Sequence, residues 1–190
     1  MYQMPLGDPN FHERILDFDR DRAASCRAAG CPACGGRLHA ANYRRKPRGW
    51  LTGLGTEHDL RFSFCCAVEG CRDRATPPSL RFLGRKVYLA VIVTVIAAMR
   101  DGPSERRLKM LAETIGVDRR TVARWRSWWL VTFPTTPLWR ARSAAFMPPV
   151  EPASLPASLL ERFAGEAGER LTAFLSFLGP ITGGASMRAF

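Results

Sequence analysis

Apolar residues recur at helical spacing through the middle of the chain. The stretch 87–99 is almost wholly apolar and predicts a helix, over about 85–100, that is buried on most sides. A second helix is predicted over 105–115, where leucine, alanine and isoleucine recur every three or four residues. Asp118 is a favourable N-cap for a third helix, predicted over about 119–133.

The second and third predicted helices fit the spacing of a helix-turn-helix. In a window that begins at Leu108, Ala112 occupies the fifth position, Gly116 the ninth and Val122 the fifteenth. The motif needs a small residue where its helices touch, glycine in the turn and a β-branched residue that fixes the second helix. Its remaining core positions carry apolar residues, which are Leu111, Ile115, Val117 and Trp125.

Two shorter stretches, 38–43 and 60–64, predict strands that lie next to cysteine-containing turns. The first turn is Cys31-x2-Cys34 and the second is Cys66-x4-Cys71. Two turns that each donate two thiolates meet the tetrahedral preference of zinc. The sequence therefore predicts a zinc ribbon with one Zn²⁺, and four protein ligands make that ion structural and not catalytic.

Other residues compete for the metal. Cys65 is an alternative to Cys66 as the third ligand. Cys66 is preferred because strand alternation puts Cys65 on the face opposite Phe64, and because the Cys-x4-Cys spacing from Cys66 to Cys71 is the more usual one in zinc-binding turns. Cys26 precedes the motif and is interpreted as a bystander. His39 and His58 are further alternatives, and buried free thiols without a metal are another.

Prolines mark a change after the third predicted helix. Six of the 14 prolines fall within 134–156, which predicts an extended linker. A last helix is predicted from Ser158, since Glu161 three residues later completes a capping box. Its apolar stripe, which continues to Leu178, is expected to pack on its own domain or on another protomer.

These patterns predict a mainly α fold with a small β zinc ribbon. The predicted segments are an N-terminal acidic segment (1–25), a four-cysteine zinc ribbon (26–80), a three-helix unit with the helix-turn-helix (81–133), a Pro-rich linker (134–156) and a C-terminal amphipathic helix with its tail (157–190).

The charge is concentrated in the centre of the chain. The formal net charge is +11, and residues 26–142 alone carry +14, whereas 1–25 carry −2 and 143–190 carry −1. This favours a polyanionic partner, with nucleic acid first, an anionic membrane surface second and an acidic protein third. The apolar run of 13 residues is shorter than the roughly 20 that span a bilayer. The N-terminus lacks a secretory pattern, so we expect a cytoplasmic, nucleoid-associated bacterial protein.

Two groups of residues are predicted to contact DNA. On the third helix they are Arg119, Arg120, Thr121, Arg124, Arg126 and Ser127, with Arg120 and Arg124 assigned to bases and Arg119 and Arg126 to phosphates. In the loop between the strands they are Arg44, Arg45, Lys46 and Arg48. A further set is expected to extend this positive surface: Arg72, Arg74, Arg81, Arg85 and Lys86. A helical hairpin with a solvated arginine face is the alternative interpretation.

The order of cysteine turn, basic loop, second cysteine turn and helix-turn-helix over 26–133 resembles the DNA-binding regions of bacterial insertion-sequence proteins. That resemblance implies binding to transposon ends or operators. In complete transposases a catalytic domain follows, whereas here four glutamates and no aspartate remain after residue 133. We therefore expect that this protein is not an enzyme.

The leading prediction is a sequence-specific DNA-binding protein that acts as a transposition accessory factor or a small transcriptional regulator. One alternative is an RNA-binding zinc-ribbon protein. Another is an adaptor that acts through 134–190, either as a homodimer or with a transposase partner.

Overall fold

The protein is mostly helical, with a small antiparallel sheet beside four clustered cysteines. The computed structural model describes residues 8–45, 54–83, 90–98, 104–115 and 117–183. The predicted mainly α fold with a small β part is confirmed at this level. Among the described residues, no helix combines the length and the apolar character needed to cross a bilayer.

The described part of the chain contains seven α-helices. They are α1 (Pro9–Ala29), α2 (Ala90–Ala97), α3 (Glu105–Ile115), α4 (Arg119–Ser127), α5 (Pro137–Arg142), α6 (Ala157–Leu160) and α7 (Ala167–Phe177). A π-helical turn (Trp128–Thr132) extends α4, and single 3₁₀ turns occur at Thr56–Asp59, Phe133–Thr135, Ser143–Ala145, Pro152–Ser154 and Gly179–Ile181. The predicted cap of α4 is confirmed, because the Asp118 carboxylate accepts a hydrogen bond from the Thr121 amide at 2.6 Å.

Helix α1 has strong signals at both of its ends. The Asp8 carboxylate accepts a hydrogen bond from the Asn10 amide, and Pro9 occupies the first helical position. The helix ends at Gly30, whose φ of +79° suits glycine. A Cβ at Gly30 would also lie 2.8 Å from the Gly35 carbonyl oxygen, so the chain reverses there at close range.

The same helix joins two hydrophobic cores. Phe11 and Ile15, in its first turns, belong to the main core of the molecule. Ala23, two turns later, belongs to a smaller core beneath the sheet. The acidic character of 1–25 does not indicate this role, which depends on the tertiary packing of α1.

The sheet is small and antiparallel. Its three strands are β1 (Leu38–Ala40), β4 (Phe64–Cys66) and β5 (Arg74–Ala75), in the order β1-β4-β5, and a separate pair is formed by β2 (Tyr43–Arg44) and β3 (Leu60–Arg61). Leu38 lies opposite Cys66, and Phe64 lies opposite Ala75. These four side chains are buried, so one face of the sheet covers the smaller core. Strands are confirmed in both predicted stretches, and β5 adds a third to the sheet.

The main core is built around α2. Nearly every residue of this helix is buried, as its apolar sequence predicts, and it packs against α4 and α7. The Trp129 ring centroid lies 4.8 Å from that of Phe133 and 5.7 Å from that of Phe174. These aromatic contacts join the end of α4 to the C-terminal helices.

The Pro-rich segment is not the extended linker that its composition predicts. Pro137 begins α5, and Pro152 begins a 3₁₀ turn, because proline suits the first helical position. Trp139, Val150 and Leu155 are buried in the main core. The apolar residues between the prolines therefore hold 134–156 on the core.

The C-terminal helix also differs from its prediction. It is divided into α6 and α7 by a turn at Gly165, whose φ is +96°. The Ser158 hydroxyl donates to the Glu151 carbonyl, and the capping box is formed by Glu166 and Glu169 at the start of α7. The apolar stripe is buried within this chain, chiefly through Leu159, Leu160, Leu171, Phe174, Leu175 and Leu178.

A buried ion pair connects α1 with the segment that follows β5. Arg81 donates from Nε to the Asp19 carboxylate at 2.8 Å, and both side chains are at most 2% exposed. The Leu80 amide also donates to Asp19, at 2.7 Å. The far end of the Arg81 guanidinium donates to the carbonyls of His58 and Leu60 at 2.6 and 2.8 Å. One side chain thus links α1, the 3₁₀ turn and β3.

We expect Asp19→Asn to lower the free energy of unfolding by about 3–5 kcal/mol, because it leaves the buried Arg81 cation without its anionic partner. Urea denaturation followed by circular dichroism would measure this loss. Asp17→Asn is the matched control, because Asp17 pairs with Arg20 on the exposed side of the same helix. Its expected cost is about 1 kcal/mol or less. Equal losses in the two variants would contradict the structural importance of the buried pair.

Candidate metal centre and nucleic-acid interface

Four cysteine thiols converge at the edge of the sheet. Their sulfur atoms all lie within 4.8 Å of one another and belong to Cys31, Cys34, Cys66 and Cys71. The Sγ atoms of Cys31 and Cys71 are 3.7 Å apart, and those of Cys34 and Cys66 are 3.5 Å apart. The first two cysteines lie in the turn after α1, the third ends β4, and the fourth lies in the following turn. The predicted grouping of these four cysteines is confirmed.

The first turn is closed by backbone hydrogen bonds. The Gly35 amide donates to the Cys31 carbonyl, and the Cys31 amide donates to the Gly36 carbonyl, both at 2.8 Å. A Cβ at Gly36 would lie 2.4 Å from Val68 Cγ2 and 3.2 Å from Cys34 Sγ. Glycine at this position therefore lets the turn lie directly against the sulfur cluster.

Backbone amides also point at the sulfur atoms. Burial opposes ionisation of Cys31, but hydrogen bonds from the amides of Ala33 and Cys34 and from neighbouring thiols outweigh it and lower the Cys31 pKa to about 7. In the other three cysteines the amide two residues downstream favours the thiolate. Their pKa values are nevertheless raised, because burial and the neighbouring thiols disfavour further ionisation. A cation bound among the four sulfur atoms would favour the thiolate form of all of them.

The donor set fits a tetrahedral metal ion. Zinc–thiolate bonds of about 2.3 Å place the sulfurs of a tetrahedron roughly 3.8 Å apart, close to the observed separations. Four cysteines suit zinc and also suit iron. The four residues can therefore bind a metal ion, and together they complete its coordination.

Comparisons of the chain with protein families, curated proteins and solved structures found no match.

The competing ligands lie outside the cluster. The Cys65 thiol makes weak hydrogen bonds to the carbonyls of Cys66 and Arg72, at 3.7 and 3.6 Å. Cys26 packs beside the smaller core, and burial raises its pKa. His39 is exposed on β1, whereas His58 is buried with Nε2 3.1 Å from the Glu13 carboxylate.

A second group of possible ligands already has a cationic partner. Glu13, Glu57 and His58 offer atoms within 4.8 Å of one another. However, the Arg20 guanidinium lies 2.9 Å from Glu13 and 3.3 Å from Glu57. The Arg20 cation thus already balances the charge of these carboxylates, where a metal ion would otherwise do so. The four-cysteine cluster is therefore the stronger candidate for a metal site.

Helix α4 has two distinct faces. Val122 and Trp125 are buried against the main core, whereas Arg120 and Arg124 are exposed on the opposite side. Arg119 is also exposed and pairs with Glu105 at the start of α3. The predicted arginine face of the third helix is therefore present.

Some residues predicted on that face lie elsewhere. Thr121 is only 6% exposed, and its hydroxyl accepts a hydrogen bond from Arg124 at 2.9 Å. Arg126 is half-buried, and Ser127 is exposed. The prediction that Thr121 points away from the core is wrong, because it lies beside Val122 on the side of α4 that faces the core.

The contact between α3 and α4 differs from the predicted register at one position. Ala112 is exposed, although the motif needs its fifth residue in contact with the second helix. Leu108 is half-buried against the main core and Val117 is fully buried, as the register requires. The side chains of Leu111 and Ile115, together with Gly116, lie outside the described part of the chain.

The basic residues between the strands have mixed positions. Arg44 is exposed but pairs with the Asp59 carboxylate at 2.9 Å. The Arg45 guanidinium lies over the Phe82 ring, 5.6 Å from its centroid. Lys46 and Arg48 lie outside the described residues.

The predicted extension of the positive surface needs one correction. Arg81 is 2% exposed and bonds to Asp19, so it contributes nothing to the surface. Burial lowers its pKa, while the carboxylate acts in the opposite direction. Arg72 and Arg74 are exposed as predicted, and 85–86 lie outside the described residues. No local pattern in the sequence separates Arg81 from the solvated arginines, because its partner Asp19 lies 62 residues away in the chain.

Substitution of single cysteines should identify the third ligand. We expect Cys66→Ser to weaken metal binding more than about 100-fold, since it removes one of four thiolates. Cys65→Ser is the matched control and should retain full binding. Absorption of Co²⁺ bound to each variant, followed by competition with Zn²⁺, would measure both. Loss of binding in Cys65→Ser alone would reverse the assignment.

Metal affinity should depend on pH. The Cys31 pKa is about 7 and the pKa values of Cys34, Cys66 and Cys71 are raised, so several thiols are protonated near neutrality without a metal. Metal binding must displace these protons, and apparent affinity therefore falls as pH falls. Between roughly pH 8 and pH 6 we expect the apparent metal affinity to fall by more than about tenfold for each pH unit. Competition with a chromophoric chelator would measure it, and a flat profile would exclude thiolate ligation.

Proposed function

We propose that this protein binds double-stranded DNA with sequence preference. In this proposal α4 enters the major groove, and Zn²⁺ held by Cys31, Cys34, Cys66 and Cys71 stabilises the ribbon. The protein would act without catalysis, on chromosomal DNA, as a transposition accessory factor or a small transcriptional regulator. The resemblance to insertion-sequence proteins supports that choice of role.

The zinc proposal is supported by the donor set and by the size of the core beneath the sheet. The fully buried members of that core are few and include Cys31 and Cys66 themselves. So few apolar side chains provide little stabilisation, and a metal ion commonly takes the place of a core in such small units. Zinc has no open coordination position in this set, which favours a structural role.

The DNA proposal depends on one observation, the exposed arginine face at the start of α4. Arg120 is exposed, and Arg124 is exposed while its guanidinium is held against Thr121 by a hydrogen bond. Arginines in the first turns of a recognition helix can donate two hydrogen bonds to guanine. Packing of Val122 and Trp125 on the core fixes which side of α4 faces outward.

The helix-turn-helix is proposed with one departure from its usual packing. Ala112 is exposed, and among the described residues α4 packs on the main core through α2 and Val117. The ion pair between Glu105 and Arg119 is an additional link between α3 and α4. Binding of DNA phosphate by Arg119 would compete with this pair.

The alternative functions differ in their support. RNA binding is favoured by one feature, Arg74 lying over the partly exposed Tyr43 ring, which provides an aromatic surface beside cations. An adaptor role through 134–190 would require the apolar stripe of the C-terminal helices to be available to a partner. Because that stripe packs on α2 and the aromatic core of this chain, we do not propose it as a partner surface.

Selection of duplexes from a random pool should yield a preferred site. We then expect Arg120→Ala and Arg124→Ala to reduce the preference for that site over random duplex by about 1–3 kcal/mol each. Fluorescence anisotropy with both duplexes would measure the ratio of affinities.

Arg142→Ala is the control, because Arg142 is exposed on α5 and carries the same charge. It should leave the ratio unchanged. If the α4 variants weakened both duplexes equally, the assignment of base contacts would be wrong. If structured RNA of equal length competed better than the selected duplex, the RNA alternative would replace this proposal.

A further inference from the structure

The outer face of the three-stranded sheet carries a row of solvent-facing residues, of which only Arg74 has entered the account of nucleic-acid binding so far. His39 lies opposite Cys65, and Cys65 lies opposite Arg74. The flanking pairs in the ladder, Leu38 with Cys66 and Phe64 with Ala75, are buried on the other face. Strand alternation therefore places His39, Cys65 and Arg74 side by side on the outer face.

The ladder continues one pair beyond the strands. The Ala67 amide donates to the Arg37 carbonyl at 2.9 Å, which puts these two residues opposite each other. Arg37 is two residues before His39, so it lies on the same face, and Ala67 lies two residues beyond Cys65. Arg37 and His39 are both exposed. The outer surface therefore has two neighbouring rows across the strands. One row is Arg37 and Ala67, and the other is His39, Cys65 and Arg74.

This surface has the shape of a trough. Its middle strand presents the small side chains of Cys65 and Ala67, while longer side chains stand on the two outer strands. The outer strands are about 10 Å apart, twice the spacing of neighbouring strands. Arg37 and His39 form one wall, and Arg74 forms the other. A single extended polymer backbone fits such a width.

The walls are cationic and their charge is not neutralised by carboxylates. Within the described residues Arg37, Arg72 and Arg74 have no ion pair, and the Arg74 guanidinium lies over the Tyr43 ring, 5.8 Å from its centroid. Arg72, with φ of +45°, is exposed in the turn before β5, and its carbonyl accepts the Cys65 thiol. Asp73 pairs with Cys66 across the ladder, which places it on the opposite face.

We propose that this trough, lined by Arg37, His39, Cys65, Ala67 and Arg74, binds the phosphodiester backbone of the DNA that α4 reads. The inference rests on the proposed function for the identity of its ligand. It adds a backbone-binding site on the sheet face, beyond the loop at 44–48, where Arg44 is paired with Asp59. Arg37 was not singled out in the sequence, although its alternation with His39 in the first strand could have indicated it.

A simpler role for these arginines would be to balance charge at the metal centre. A zinc ion with four thiolates has a net charge of about −2, and cations near it lower that electrostatic cost. The two roles predict different measurements. Charge balance predicts weaker metal binding in arginine variants, whereas backbone binding predicts a changed salt dependence for DNA.

The test uses the full-length, zinc-loaded protein and a random-sequence duplex over a series of salt concentrations. Each lost phosphate contact lowers the slope of log affinity against log salt by about 0.9. We expect Arg37→Ala/Arg74→Ala to lower the slope by about 2 while the preference for the selected site and the zinc content remain unchanged. The matched control is Arg140→Ala/Arg142→Ala, which removes the same charge from the exposed side of α5. Equal slopes in the two double variants would overturn the inference, as would loss of zinc in the first.

Failure of this inference is distinguishable from failure of the proposed function. If the α4 variants lose site preference and the trough variants bind as the control does, only the trough is refuted. If the trough variants lower the slope and the α4 variants have no effect, the backbone site stands and the assignment of base reading to α4 is refuted. If neither set changes binding to any duplex, both are refuted.

Thiol labelling provides a second measurement at the floor of the trough. Cys65 is partly exposed, and Cys26 on α1 has similar partial exposure outside the trough. We expect bound duplex to slow alkylation of Cys65 at least about fivefold, by covering it, and to leave Cys26 unaffected. Peptide mass spectrometry separates the two sites. Unchanged labelling of Cys65 in the saturated complex would overturn the inference.

Discussion

The buried pair of Asp19 and Arg81 is the interaction on which the arrangement of this protein depends. Asp19 lies in the middle of α1, between the residues that enter the main core and those that enter the small core beneath the sheet. Arg81 brings the segment after β5 to the same point and donates to carbonyls of the 3₁₀ turn and β3. A buried charge without its partner is costly, so this pair fixes α1 relative to the 3₁₀ turn and β3. The four-cysteine cluster and the main helical core are thereby held to one helix.

The four-cysteine cluster and the small core form one structural unit. Cys31 and Cys66 are at once candidate metal ligands and buried core residues, and Leu38, Phe64 and Ala75 complete the layer below them. A layer of this size excludes little apolar surface from water, and the conformational entropy of two turns and three short strands opposes its formation. The proposed metal ion, bound by the four thiolates, would replace the missing apolar contacts with bonds. The metal centre and the outer face of the sheet are therefore expected to form together.

The net positive charge of the central segment is distributed between interior and surface. Arg61 and Arg81 are each 2% exposed and bind carbonyls or Asp19, so they stabilise the fold and contribute little to recognition. Arg120 and Arg124 on α4, and Arg37 and Arg74 on the sheet, remain exposed. Net charge by itself indicates an anionic partner, but only this division identifies which arginines can reach one.

Local patterns in the sequence determined the two cysteine turns, the limits of α3 and the Asp118 cap of α4. These features depend on neighbours a few residues apart, and such short-range constraints can be recognised from spacing alone. The tertiary structure alone decided that α1 joins two cores, that Arg81 and Thr121 are buried, that Ala112 is exposed and that the Pro-rich segment packs on the core. Each of these depends on which distant parts of the chain pack against the residue, as Asp19 does against Arg81, or fail to do so, as at Ala112. A residue's exposure follows from what the fold brings against it, and its own type and local spacing do not contain that information.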